Sequence, residues 1–357
     1  MGVFYVLLLI PMMMQHFAVK GLRLDYQKRN IAALKFFFVF LTLLVALRHE
    51  SVGNDTSNYL YYYDAFGRAS WSDFTGKNVE IGFQYLNKFI SLFSRNPQFY
   101  LATAAILVSA MIWPTYKRLC VDTAFTVSVF CILSTFVMMF SGIRQMLAIG
   151  LGFIAYDFTR KRKFLPFVLI CLLALTVHTS AFMLLFMYPL YHARITRKSL
   201  MFLVPILAAL FAFNQQIFGA LGQILAQFTD YDTEIESTGA YTMLILFGLF
   251  LLFSFLVPDE NKLDDETVGL RNFLLLTFAL QMFAPLHTLA MRMGYYYMIF
   301  VPLLLPKIVA CRSRRWGRVA LLGRNVMVVF FMVYFFVSAS GGGGLNVFPY
   351  HFFWERV

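Results

Sequence analysis

Apolar residues in this chain come in long unbroken runs, separated by short polar and basic stretches. The runs lie near 2–19, 33–48, 98–114, 123–141, 143–158, 164–177, 179–191, 200–220, 240–257, 272–288, 294–310 and 325–338, twelve in all. Several reach the roughly 17–25 residues needed to cross about 30 Å of hydrocarbon. In lipid the backbone must satisfy its own hydrogen bonds, which leaves helices or closed barrels. Barrel strands alternate, and these runs do not. The pattern predicts an all-α, polytopic integral membrane protein with about 12 transmembrane segments, a single multi-span domain over 1–357. The first run lacks a basic leader and a small-residue cleavage site, so it is expected to be a retained helix.

Three stretches break the rhythm. Residues 48–97 form a long loop of mixed charge and aromatics. Residues 221–239 carry Asp230, Asp232, Glu234 and Glu236 with no Lys or Arg. After the last run, Gly341–Gly344 hinge an aromatic C-terminal tail, 339–357, which either lies at the interface or folds back on the protein. The stretch 164–191 is ambiguous, being long for one span and short for two. Two short spans turning at His178-Thr179 fit the flanking charges and leave His178 at the floor of a cavity.

Composition agrees: 60% of residues are hydrophobic and 13% charged, against about a quarter charged in soluble domains. The formal charge is +12, but its distribution excludes a nucleic-acid partner. Of the 30 Lys and Arg residues, 21 lie in alternate inter-run segments, among them Arg160-Lys161-Arg162-Lys163 and the cluster from Arg312 to Arg324. The positive-inside rule makes those segments cytoplasmic, so both termini are expected outside, as is the 48–97 loop. Of the four cysteines none falls in an outer loop, and there is no CxxC or Cys/His cluster. No disulfide, metal or cofactor is therefore expected.

The minority of arginines on the outer side carry the candidate chemistry. Arg48 ends the second run; it is either a snorkelling anchor or an anion ligand. Gly53-Asn54-Asp55 after it reads as a turn. Arg144 sits in the short turn Ser141-Gly142-Ile143-Arg144-Gln145. A charge at the membrane boundary faces a wet cavity or a partner, here a phosphate or a structural carboxylate such as Asp55 or Glu80. Arg292 shares a helix face with Tyr295 and Tyr296, which are otherwise an aromatic belt, and His287 lies near the same end. His178 is the only histidine deep in an apolar stretch. It is either a hydrogen-bonded structural residue or the acid–base group, with Asp55 and Glu80 as alternatives. Guanidinium matches phosphoryl oxygens bidentately, so three outer arginines point to phosphate or pyrophosphate.

The string Arg48 to Tyr59 (RHESVGNDTSNY), Phe66, Glu80-Ile-Gly82-Phe83, Gly142-x-Arg144-Gln145, His178-Thr-Ser180-Ala181, Arg292-x-x-Tyr295-Tyr296 and the terminal Pro349-Tyr350 together resemble the EpsG family of bacterial membrane proteins. That family is similar to Wzy-type polysaccharide polymerases. The resemblance implies a glycosyltransferase of the bacterial cytoplasmic (inner) membrane. It would move a growing glycan from undecaprenyl pyrophosphate to a lipid-linked repeat unit. Arg144 and Arg292, supported by Arg48, would bind pyrophosphate. His178 would be the base, with Asp55 and Glu80 orienting sugar hydroxyls. Tyr295, Tyr296, Gln145 and His287 would line the sugar or lipid path. Membrane lipid, a flippase and a chain-length regulator are the implied partners. Three rival readings are a flippase for the same lipid-linked oligosaccharide, a membrane O-acyltransferase and a non-catalytic scaffold. The chain lacks the repeated halves many transporters show.

Overall fold

The computed structural model describes residues 2–16, 25–76, 79–225, 240–342 and 344–357. The acidic stretch Asp230–Glu236, Lys20, Arg23 and Gly343 of the hinge lie outside them. Among the described residues every regular element is helical. The chain forms two compact units, 1–185 with 322–357, and 186–321.

The first unit contains α1 (Gly2–His16), α2 (Tyr26–Ala46), α3 (Thr56–Arg68), α4 (Ile81–Ser91), α5 (Pro97–Leu119), α6 (Thr123–Ile132), α7 (Ser134–Ser141), α8 (Ile143–Arg160) and α9 (Phe164–Val177). The second contains α10 (Met187–His192), α11 (Leu200–Ala212), α12 (Asn214–Leu225), α13 (Tyr241–Leu256), α14 (Asp265–Gln281), α15 (Thr288–Met298) and α16 (Val301–Ala310). The last helix, α17 (Gly317–Ser340), returns the chain to the first unit.

The apolar runs fall on these helices. Among the described residues, Tyr26–Ala46, Pro97–Leu119 and Arg314–Ser340 are long and apolar enough to cross a membrane singly. The α6–α7 pair, bent by 69°, and the α15–α16 pair, bent by 48°, reach that length jointly. Helices α1, α9 and α13 are shorter apolar segments. The stretch 164–191 does break at His178, which is extended at φ −155°, and continues as a 3₁₀ turn over Thr179–Phe186.

Helix order in the first unit follows from neighbouring faces: α1 packs on α2, α2 on α5, α5 on α8 and α8 on α9. Its aromatic core gathers Phe4, Phe136, Phe140, Phe335, Phe348 and Tyr350, with the Phe4 ring 4.9–6.4 Å from the other five. In the second unit α14 is central, packed by α10, α13, α15 and α16. Its buried positions run all round the helix, as a central helix requires.

The 48–97 segment and the C-terminal tail are neither a plain loop nor a free tail. The 48–97 loop holds two packed helices. On α3 the buried positions Thr56, Tyr59, Tyr63 and Gly67 recur every three or four residues. On α4 Phe83, Gln84, Asn87, Ile90 and Ser91 do the same. The C-terminal tail folds back on the protein. The amides of Gly53 and Asn54 donate to the carbonyls of Asn346 and Leu345, that of His49 to His351, and Phe353 donates to Leu47. The Tyr350 hydroxyl donates to the Leu44 carbonyl at 2.8 Å.

Candidate functional site

Three corners of the first unit meet. The turn at residues 49–55 lies against the α7–α8 corner, where the Asp55 amide donates to Ser141 Oγ at 3.3 Å. The Thr56 hydroxyl reaches the carbonyls of Val52 at 2.7 Å and Phe140 at 3.3 Å. Gly53 makes the turn possible. Its φ is +92°, and an added Cβ would lie 2.6 Å from the Phe140 carbonyl oxygen. The third corner is formed by α4 and α9. A Cβ on Gly82 would sit 2.2 Å from Thr176 Oγ1 and 2.8 Å from the Thr176 carbonyl. Only glycine lets the start of α4 approach the end of α9 this closely, which brings Glu80 against His178.

Glu80 is the hub. Its Oε1 accepts from the Thr179 amide at 2.8 Å, the Thr179 hydroxyl at 3.1 Å and His178 Nδ1 at 3.1 Å. Its Oε2 accepts from Arg144 Nη1 at 2.7 Å. The Arg144 guanidinium lies 5.9 Å from the Tyr59 ring centre and 5.8 Å from that of Phe83, within cation–π reach. Burial pushes the Glu80 carboxyl up, but the His178 hydrogen bond, the Arg144 charge and the Thr179 amide outweigh it and hold the group at about 2. Glu80 is therefore ionised at neutral pH and weakly basic. With Nδ1–H given to that carboxylate, His178 carries its free lone pair on Nε2, the tautomer a general base needs.

Asp55 is half-exposed, caps no helix amide with its side chain and lies within electrostatic reach of Tyr59. Arg144, Glu80 and His178 are thus in direct contact, with Asp55 on the adjoining turn. The carboxylate partner of Arg144 is Glu80 rather than Asp55. Tyr59, Phe83 and Thr179 complete the cluster. Sequence reasoning had not singled them out, though each sits within or beside one of the short motifs.

The other expected site residues divide between the two units. Arg48 is 1% exposed. Its guanidinium bonds the Val45 carbonyl and Thr56 Oγ1, and its backbone bridges Phe352 under the tail. It holds the turn from inside, with its Nη2 buried and without a hydrogen-bond partner among the described residues. Gln145 is buried as well. Tyr295 and Tyr296 are 1% exposed inside the second unit, so neither lines an open path. His287 caps α15, its Nδ1 accepting from the Leu289 amide at 3.0 Å, and stacks on Phe218. Arg292 is exposed on α15.

The ordered motifs of both units fall within one family match: the EpsG family model covers residues 31–352. The chain belongs to the EpsG family. EpsG proteins are polysaccharide-polymerase-like membrane proteins, and this chain's apolar helices agree with that class. No curated protein and no solved structure matches the chain. The EpsG match spans the Gly53 turn, Glu80-Ile-Gly82-Phe83, Gly142-x-Arg144 and His178-Thr179, which are brought together at one place.

Proposed function

We propose that this EpsG protein is a glycosyltransferase of the bacterial cytoplasmic membrane. It transfers a growing glycan from undecaprenyl pyrophosphate to a lipid-linked repeat unit at the outer face, and its apolar segments thread the membrane twelve times with both termini outside. The observation that supports the reaction best is the Arg144–Glu80–His178 contact chain.

In the transfer, an acceptor hydroxyl oxygen bonds to the anomeric carbon while the bond from that carbon to the pyrophosphate oxygen breaks. The electron pair leaves with undecaprenyl pyrophosphate, and the hydroxyl proton passes to His178 Nε2. Glu80 fixes the imidazole tautomer and steadies the imidazolium that forms, a positioning task. A guanidinium carries five N–H donors, so giving one Nη to Glu80 leaves others for phosphoryl oxygens. Arg144 then offsets the charge growing on the leaving group, and no metal or cofactor is invoked. Asp55 is the adjoining carboxylate that orients sugar hydroxyls.

The test compares lipid-linked glycans from a deletion strain carrying wild-type protein, H178A or R144K. Single repeat units at the outer leaflet with no polymer support the proposal. Repeat units held at the inner leaflet would mean a flippase, and full-length polymer lacking acyl groups an O-acyltransferase. Because lysine loses the bidentate fork, R144K is expected to lower turnover on the order of 10²-fold. Arg292, exposed on α15, is tested beside it by the same substitution.

A further inference from the structure

The two helices of the 48–97 segment turn opposite kinds of face outward. On α3 the exposed residues are polar with one aromatic: Ser57, Asn58, Tyr61, Asp64 and Arg68. On α4 and the turn after it they are Ile81, Tyr85, Phe89, Leu92 and Phe93, each between 37% and 70% exposed. The second set recurs at i, i+4, i+8, i+11 and i+12, a continuous stripe opposite the face that buries Phe83 and Ile90. A stripe of this kind in water is an aggregation liability.

The placement of α4 says what covers it. Its first turn abuts Thr176 in the last turn of α9 through Gly82. Its last turn runs within five residues into Pro97, the start of the membrane-length helix α5. Both ends of α4 are therefore tied to the ends of apolar helices, and α9 itself exposes Leu165, Leu169, Leu172 and Leu173. Exposed apolar side chains thus stand both on α4 and on the helix it abuts. At the edge of the α4 stripe Trp71 stacks on Tyr85, ring centres 5.8 Å apart. Lys88 Nζ lies 5.9 Å from the Trp71 ring centre and donates to the carbonyls of Gly67 and Ala69. Aromatic rings with a neighbouring ammonium are the side chains that favour the headgroup level of a bilayer.

We propose that α4 is an interfacial helix that lies in the membrane plane with its Ile81–Phe93 stripe in the acyl-chain boundary of one leaflet. Lipid covers the stripe, while α3 faces water above it. If the polymerase reading holds, that leaflet is the outer one. Glu80, at the first residue before α4, and its partner His178 then stand at headgroup depth, where the pyrophosphate of a lipid-linked substrate lies.

The test places single cysteines at Phe89 on α4 and Leu92 in the turn after it, and at Asp64 and Arg68 on α3, in a C311S background. The other three cysteines are buried. Each variant carries a polarity-sensitive fluorophore and is reconstituted into phosphatidylcholine vesicles. The α4 labels are expected to emit at shorter wavelength, with strong quenching by brominated acyl chains and weak quenching by iodide. The α3 labels are expected to show the reverse. Iodide quenching at Phe89 and Leu92 equal to that at Asp64 would overturn the proposal. So would α4 labels shielded only when soluble oligosaccharide is added, which would make the stripe a glycan ledge, or excimers between labels of two copies. The readout involves no turnover, so it stands or falls apart from the proposed reaction.

Discussion

Replacing Glu80 by glutamine is the sharpest perturbation of the cluster. Glutamine keeps the shape and can still accept from the Thr179 amide, but it removes the charge that Arg144 and His178 both use. The fall of the Glu80 carboxyl from the usual 4.5 to about 2 corresponds to about 3 kcal/mol favouring the ionised form in the folded protein. That is an upper figure for the stability lost at pH 7, because glutamine retains part of the hydrogen bonding. The group is depressed in the folded state, so its contribution is complete above pH 4.5 and is lost as pH falls toward 2. Unfolding of detergent-solubilised protein, followed from pH 7 to pH 3, should show wild type losing stability below pH 4.5 and E80Q losing less. Turnover on a lipid-linked repeat unit should fall on the order of 10²–10⁴-fold, because the imidazole loses the partner that sets its tautomer. An E80Q protein with wild-type turnover at pH 7, or with an unchanged acid-unfolding profile, would refute the hub role of Glu80.

G82A should push α4 away from α9, since the new Cβ meets a backbone carbonyl that cannot swing aside. A shift of about 1 Å at Glu80 predicts a loss of turnover on the order of 10²-fold, with a lower melting temperature, read by activity and thermal unfolding. G53A combines a left-handed φ with a contact on the Phe140 carbonyl, and should destabilise by about 1–3 kcal/mol in chemical unfolding. R48K should lower the melting temperature while leaving KM for the lipid-linked substrate unchanged, because the guanidinium holds Val45 and Thr56 and is closed to substrate. A raised KM in that variant would return Arg48 to the anion site.

Apolar runs, charged segments and turn residues are local signals, and what depends on them was legible from the amino-acid sequence alone. The helices, the break at His178 and the short corner before Arg144 are of this kind, as is the membrane class. Even the Arg144–Glu80 pairing was foreseeable as one of two carboxylate options. What sequence left open depends on which faces touch. Glu80 meets His178 across 98 residues because one glycine admits Thr176 into the α4–α9 contact. Arg48 reads from sequence as a snorkelling anchor or an anion ligand; the tail closes over it and buries it, and no pattern within the 47–54 stretch announces a partner some 300 residues away. Tyr295 and Tyr296 carry the composition of an aromatic belt yet are buried, since helical spacing does not say which neighbour covers a face. Periodicity and charge are properties of a segment, whereas a site is a property of the contacts between segments.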